Sequence, residues 1–340
     1  GLHHQGGALE ELFDREGVAW IPLPAVDAPR LRAPWRQFFK RRAVAKVLDP
    51  FLREQAFDLV HTHDMRNHRI WSAATMLGAC PHIWHQRTPA SGKNMAHYGR
   101  KAAAFIAVSE FTRSSLPAAL QPFAHIIYNP FLPGSVASPE ARLRLCGELG
   151  VSPETRLVGY VANFSERKRP ELFVEIAGRV AAASSEPLAF CMFGAPHEPF
   201  RTRALARAEA LGLADRLHIL GQRFPFGPYM AGLSALVAPA RREALGRTLI
   251  EAGLAGVPVV ATAEGGNFEI IEDGETGWLA SPDDADAFCH AILEIFEHPD
   301  ATERRCDAAR EKLSEQFSLE RHLARVEGVY SDVLGRGASP

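Results

Sequence analysis

The feature that most constrains this chain is a regular exchange between short apolar runs and longer segments with helical periodicity. FDLVHTH, PHIWHQ and AAFIAVS read as strands, with RQFFKRRAVAKVLDPFLREQ, HRIWSAATMLGA and EFTRSSL as helices beside them, the last capped by Ser109. Farther on, RLVGYVANF, PLAFCMFG, RLHILG, SALVAPA and VPVVAT alternate with RPELFVEIAGRVAAA, FRTRALARAEALG, GPYMAGL and TLIEAGLAG, and TGWLAS precedes the last helices. Strands taking turns with helices make parallel sheets whose crossover helices cover both faces. The fold class that follows is α/β, with two Rossmann-like doubly wound domains facing a cleft.

Prolines, a glycine and small polar residues gather in HIIYNPFLPGSVASPEARL, which puts the hinge at about Pro130 to Pro139. The expected division is 1–135, 136–316 and a terminal helix over 317–340. Upstream, GALEELFDREG has the spacing of a helix ending at Gly17, and VAWIPLP reads as a short strand. A doubly wound domain normally opens on a strand, whereas this chain opens into loop and helix, so one or more opening strands are expected to precede it.

With 340 residues, 46% hydrophobic and 23% charged, the chain can form two domains of roughly 150 residues each. Cys80, Cys146, Cys191, Cys289 and Cys306 are scattered, odd in number and never spaced C-x-x-C. That pattern argues against a disulfide framework or zinc knuckle and for a reducing, cytoplasmic setting. No apolar run approaches the roughly 18 residues that span a bilayer, and no charged-then-apolar leader opens the chain. The formal charge of -2 conceals an asymmetry: up to Leu132 there are 16 Lys and Arg against 10 Asp and Glu, and beyond it 22 against 30. A basic first half suggests an anionic partner.

Glu243 and Glu251 bracket the start of a helix in REALGRTLIEAGLAGVPVVAT. The preceding run SALVAPA reads as a buried strand, so Arg241, Arg242 and Glu243 lie at its carboxyl end, where open α/β sheets bind ligands. Gly246 allows a close turn, and the amides of the helix start offer partial positive charge to a diphosphate. Eight residues at about 1.5 Å rise put the two acids on the order of 12 Å apart, enough to reach both ends of a nucleotide sugar and too far for a glycosidase pair. Glu251 also interrupts an otherwise apolar helix, which a merely solvated face would not do with a single charge.

EALGRTLIEAGLAGVPVVAT followed by EGGNFEIIEDGETGWLASPDD resembles the E-x7-E region of retaining glycosyltransferases of GT-B fold, family 4 (group 1). YVANFSERKRPELFVEIA, RLHILGQ, LVAPARRE, AFIAVSEFTRSSL and IIYNPF are similar to further segments of that family in the same order, so the resemblance covers essentially the whole chain. It implies a first domain that binds acceptor and a second that binds a nucleotide-sugar donor of UDP or GDP type, with no separate cofactor and no metal ion. It further implies that Glu243 bonds the donor sugar's hydroxyls and Glu251 the ribose, with Leu245, Gly246 and Arg247 beside sugar and diphosphate. Lys168 matches the lysine that neutralises the leaving diphosphate. The family usually carries an arginine five residues before that lysine, where this chain has Asn163, which hydrogen-bonds without charge. Either Arg167 or Arg169 substitutes, with Arg247 a third candidate, or the donor is held more weakly. Gly265 and Gly266 fit a close backbone approach to the donor, or simply a turn. His85 resembles the acceptor-domain histidine directed at the transferred sugar, and 317–340 the helix that crosses back to the first domain.

Other signals point elsewhere. His61 and His63, with Asp64 next to them, form half of a metal site, which makes a metal-dependent hydrolase an alternative; further ligands at later strand ends are not evident. Asp284-Ala285-Asp286 imitates a D-x-D metal motif but leads into a helix, so capping explains it. No G-x-G-x-x-G follows a strand, which disfavours a nicotinamide enzyme. In WRQFFKRRAVAK, residues 35–46 interleave Arg36, Lys40, Arg41, Arg42 and Lys46 with Trp35, Phe38 and Phe39. This is either an ordinary helix with a basic face or a peripheral contact with an anionic membrane at its inner face, suited to a lipid-linked acceptor. Nucleic acid is not expected, since the total charge is slightly acidic and no binding motif accompanies the patch. Asn163 and the expected absence of an opening strand keep a non-catalytic nucleotide-sugar-binding protein or fragment as a further alternative.

Overall fold

The computed structural model describes residues 2–3, 8–26, 34–63, 65–90, 95–99, 101–132 and 134–337. Asp64, Pro133 and the side chains of Trp35 and Arg36, which carry some of the expectations above, lie outside the described residues. The chain divides into two compact units: 1–107 with 114–125 and 328–340, and 108–113 with 126–327. Helix α13 (Leu319–Gly337) thus contributes residues to both.

In chain order the first part runs β1 (Leu2–His3), α1 (Ala8–Arg15), β2 (Ile21–Pro22), α2 (Pro34–Glu54), β3 (Val60–Thr62), α3 (Met65–Ala74), β4 (His82–Gln86), α4 (Met95–Gly99), β5 (Ala104–Ala107), α5 (Glu110–Ser114) and β6 (Ala124–Ile126). Strands β3-β4-β5-β6 form one sheet, parallel from β3 to β5. The opening differs from expectation: β1 pairs parallel with β2 where loop is expected. Ser109 caps α5, its Oγ accepting the Thr112 amide at 3.0 Å. Arg41 does not share the basic solvated face: it is 9% exposed and donates to the Ser72 carbonyl at 3.3 Å. A step of one residue, about 100° around the helix, separates its fate from that of exposed Lys40 and Arg42.

The second part runs α6 (Pro139–Leu149), β7 (Arg156–Val161), α7 (Pro170–Ala183), β8 (Leu188–Phe193), α8 (Phe200–Ala210), β9 (Leu217–Gly221), α9 (Gly227–Met230), β10 (Ala235–Ala238), α10 (Arg247–Ala255), β11 (Val259–Thr262), β12 (Trp278–Ala280), α11 (Ala285–Glu297), α12 (Pro299–Gln316) and α13. Its sheet has the order β12-β11-β10-β7-β8-β9, all parallel. Period-two alternation explains the double winding. In LAFCMF of β8, Leu188, Phe190 and Met192 join one hydrophobic core with Phe173 and Phe288, while Ala189, Cys191 and Phe193 join the other with Leu249 and Leu313. Both faces are therefore apolar and both need helices. Asp284 caps α11, its carboxylate accepting the amides of Asp286 at 3.1 Å and Ala287 at 3.0 Å, as its place before the helix implies.

Candidate active site

The second sheet reverses its winding between β7 and β10: β8 and β9 continue to one side, β11 and β12 to the other. Loops leaving the carboxyl ends of two such neighbours must diverge, and the gap between them is the usual ligand crevice of an open α/β sheet. After β7 the chain makes a short 3-10 turn over Glu166–Lys168 and ends it at Arg169 with φ 57°. After β10 it passes through Pro239 and Ala240 to Glu243 and the start of α10. The Arg241 amide donates to the Arg167 carbonyl at 2.9 Å, joining the two loops.

Across this gap Lys168 Nζ donates to both carboxylate oxygens of Glu243, at 2.8 and 2.9 Å, and Arg167 donates to the same carboxylate. Glu243 is 8% exposed, so its charge depends on these partners. Of the cations expected to replace the missing arginine, Arg167 reaches the cluster and Arg169 does not, pairing instead with Asp283. Arg247 lies 3.8 Å from Glu251 one turn along α10 and keeps two thirds of its side chain in solvent. Burial raises the Glu251 carboxyl above the usual glutamate range, against a smaller lowering by Arg247.

A cleft of about 740 Å³ runs past Asn163, Arg167, Lys168, Thr248 and Glu251. Its volume falls in the range that takes a ligand of nucleotide-sugar size. Lys168, Glu243 and Gly246 also line a crevice of about 20 Å³ beside it, room for roughly one water. Asn163 is turned to a structural task, its Oδ1 accepting the Ala195 amide at 2.8 Å. Of the amides expected to face the donor, that of Arg247 donates to the Leu245 carbonyl at 2.9 Å. Gly265 and Gly266 fold against their own chain: added Cβ atoms would come within 2.8 Å of the Glu243 carbonyl oxygen and 2.4 Å of that of Ala244. Their absence of side chains shapes the loop that presents Glu243.

Residues singled out in the sequence do not exhaust the cleft. Gly194, Arg223, Phe224 and Phe226 also line it, from the carboxyl ends of β8 and β9. Gly194 has φ 118°, and a Cβ there would lie 2.2 Å from the Ala162 carbonyl oxygen, so the close approach of the β7 and β8 loops requires glycine. Their position at strand ends is the signal that would have found them.

His85 lies in the other unit, on β4. Its Nδ1 is 3.2 Å from His61 Nε2, and His61 Nδ1 is 2.6 Å from the Tyr330 hydroxyl. His85 and the His61-x-His63 pair are separate signals in the sequence; the sheet brings them together.

Comparison with known proteins agrees with this arrangement. Residues 146–312 match the family model described as glycosyl transferases group 1. The N-acetyl-alpha-D-glucosaminyl L-malate synthase of Bacillus anthracis is 26% identical over 61% of this chain and 53% of its own length. The lipopolysaccharide core biosynthesis mannosyltransferase LpcC of Rhizobium leguminosarum bv. viciae is 30% identical over 55% of this chain and 54% of its own length. The chain thus spans about half the length of these curated relatives. Among solved structures, Anabaena HepE in complex with UDP and glucose aligns with a TM-score of 0.82 at 20% identity, over 97% of this chain and 91% of HepE. The fold is that of GT-B glycosyltransferases, and residues 146–312, just under half of the chain, are similar to the glycosyl transferases group 1 family.

Proposed function

We propose that this chain is a retaining glycosyltransferase that moves a sugar from a nucleoside-diphosphate sugar, of UDP or GDP type, to a saccharide or lipid-linked acceptor. The setting is cell-surface polysaccharide, lipopolysaccharide or glycolipid synthesis, with donor bound by the second unit and acceptor by the first. The observation that carries this reading is the cluster at the winding reversal, where Lys168 and Arg167 face one buried carboxylate, Glu243, beside the cleft. Two cations against one anion leave net positive charge for a diphosphate. As the glycosidic bond breaks, negative charge grows on the departing phosphate, and a fixed ammonium and guanidinium stabilise that change more than the starting state. Glu243 accepts hydrogen bonds from the sugar's hydroxyls and Glu251 from those of the ribose. The UDP and glucose held by HepE and the lipopolysaccharide role of the Rhizobium relative support the donor class and the setting.

In the first unit, α2 exposes 54% of Phe38 and 66% of Phe39 beside exposed Lys40, Arg42 and Lys46. Apolar rings among cations suit peripheral contact with an anionic bilayer, on its cytoplasmic face, where a lipid-linked acceptor would be met.

Calorimetry against a panel of nucleoside diphosphates tests the main reading. The wild-type chain is expected to bind one of them. Glu251→Ala should weaken that binding about 10- to 100-fold, the loss of charge-assisted hydrogen bonds. Glu243→Ala should retain diphosphate affinity, since it frees two cations, while abolishing transfer. A folded chain that binds none of the panel sinks the reading; equal loss in both variants overturns the division of roles.

A further inference from the structure

We propose that His61, His63 and His85 form a binding site for a divalent transition-metal ion of the zinc type. The register of the first sheet assembles it. His61 pairs with Ile83 and Thr62 with Trp84, and one residue beyond β3 this register sets His63 opposite His85, ring centroids 5.0 Å apart. Side chains two apart on a strand share a face, and paired residues on neighbouring strands share it too. His61, His63 and His85 therefore project together, while Thr62 and Trp84 point to the opposite face.

The spacing matches coordination. Two nitrogens each about 2.0–2.1 Å from zinc at a tetrahedral angle lie about 3.3–3.4 Å apart. His61 Nε2 and His85 Nδ1 are 3.2 Å apart. One ring nitrogen from each of the three histidines lies within 4.8 Å of the others, so the third ligand has only a short distance to close. That third ligand is His63, which is exposed, with ring centroids 4.3 Å from His61 and 5.0 Å from His85. It can move by side-chain rotation alone, while His85 is buried and fixed. The Tyr330 hydroxyl at 2.6 Å from His61 Nδ1 supplies the outer contact that commonly orients a ligating imidazole, leaving Nε2 toward the ion. Three imidazoles favour zinc, copper or nickel over magnesium, which prefers oxygen, and they leave a fourth position for water.

Arg87 opposes uptake: its Nε donates to His63 Nδ1 at 3.3 Å, so His63 must exchange that donor for the metal. Without a metal, the 3.2 Å contact is a hydrogen bond between two ring nitrogens, whose donor is set by the tautomer.

The test is a binding measurement, independent of activity. The full chain, stripped with chelator and dialysed, is titrated with zinc in competition with a chromophoric chelator. One zinc per chain is expected, with no comparable uptake of magnesium. His63→Ala, on an exposed side chain, should weaken zinc at least tenfold, and Tyr330→Phe about tenfold, both with unchanged circular dichroism. No zinc uptake by the folded wild type, or uptake unchanged in His63→Ala, overturns the site. Zinc binding with the expected losses supports it even if no nucleoside diphosphate binds.

Discussion

The two units hold polar side chains against their parallel sheets by opposite electrostatic means. In the second, a buried carboxylate, Glu243, is held by Lys168 and Arg167 from the neighbouring loop. In the first, the groups are imidazoles: His61, His63 and His85 on one face of the sheet, and on the other His68 Nδ1 and His82 Nε2 at 2.6 and 2.7 Å from the Thr62 hydroxyl. Burial lowers His82 to about 4 and pushes His68 well below the usual histidine range, the latter with further lowering from His82, His63, His85 and His61. An ion pair carries its own compensating charge, whereas a buried imidazole holds its place only while neutral. The first unit should therefore lose stability in acid through these buried imidazoles.

The largest test of that contrast is Lys168→Ala. Removing one preorganised cation from a transition state that develops charge should lower sugar transfer about 10²- to 10³-fold, read as initial rate with donor in excess, without altering the first unit's acid sensitivity. A loss below tenfold would mean that Arg167, half exposed and on the same carboxylate, already suffices.

A second test concerns pH. His68 and His82 are depressed in the folded chain, so the unfolded chain takes up their protons first. Their contribution is fully present above about 6.5 and is lost as pH falls, for His82 through about 4. Thr62→Val removes the hydroxyl that both rings share, leaving buried polar atoms without that partner, and should cost about 2–4 kcal/mol in urea unfolding at pH 7. Hydrogen exchange between pH 7 and 4 should show protection fading first at β3 and β4. Simultaneous loss at β7 and β10 would erase the distinction between the units.

The smallest effect is expected at Glu251. Its carboxyl is raised, so the folded chain holds that proton longer than the unfolded one, and ionisation is a net cost that appears as pH rises above the ordinary glutamate range. With 39% of the side chain exposed the cost is slight. Glu251→Gln should raise the melting temperature by about one degree at pH 8 and leave it unchanged at pH 4. A destabilised variant would show that the Arg247 contact outweighs burial.

Much of this architecture was legible in the order of residues because period and composition act locally. The unbroken apolar run LAFCMF, the capping aspartate at 284 and the serine at 109 each name their element without reference to distant chain. Glu243 and Glu251 were visible for a similar reason, since both lie near one helix start. What escaped was anything that depends on which loops meet. Asn163 reads as a neutral donor where a cation is usual, and only the folded chain shows its carbonyl oxygen accepting the Ala195 amide and Arg167, not Arg169, carrying charge to Glu243. Gly265 and Gly266 read either as a close approach to the donor or as a turn, and the fold packs them on the Glu243–Ala244 backbone.

By itself, then, the sequence determined two parallel α/β sheets, the helix that starts at Arg247, and a pair of acids spaced to bracket it, because each follows from side-chain period and backbone propensity along a short stretch. Only the tertiary structure decided that β7 and β10 are neighbours at a winding reversal, so that Lys168 closes on Glu243 from 75 residues away. It alone also put His85 beside His61 and His63, because strand register is a relation between two segments and is written in neither of them.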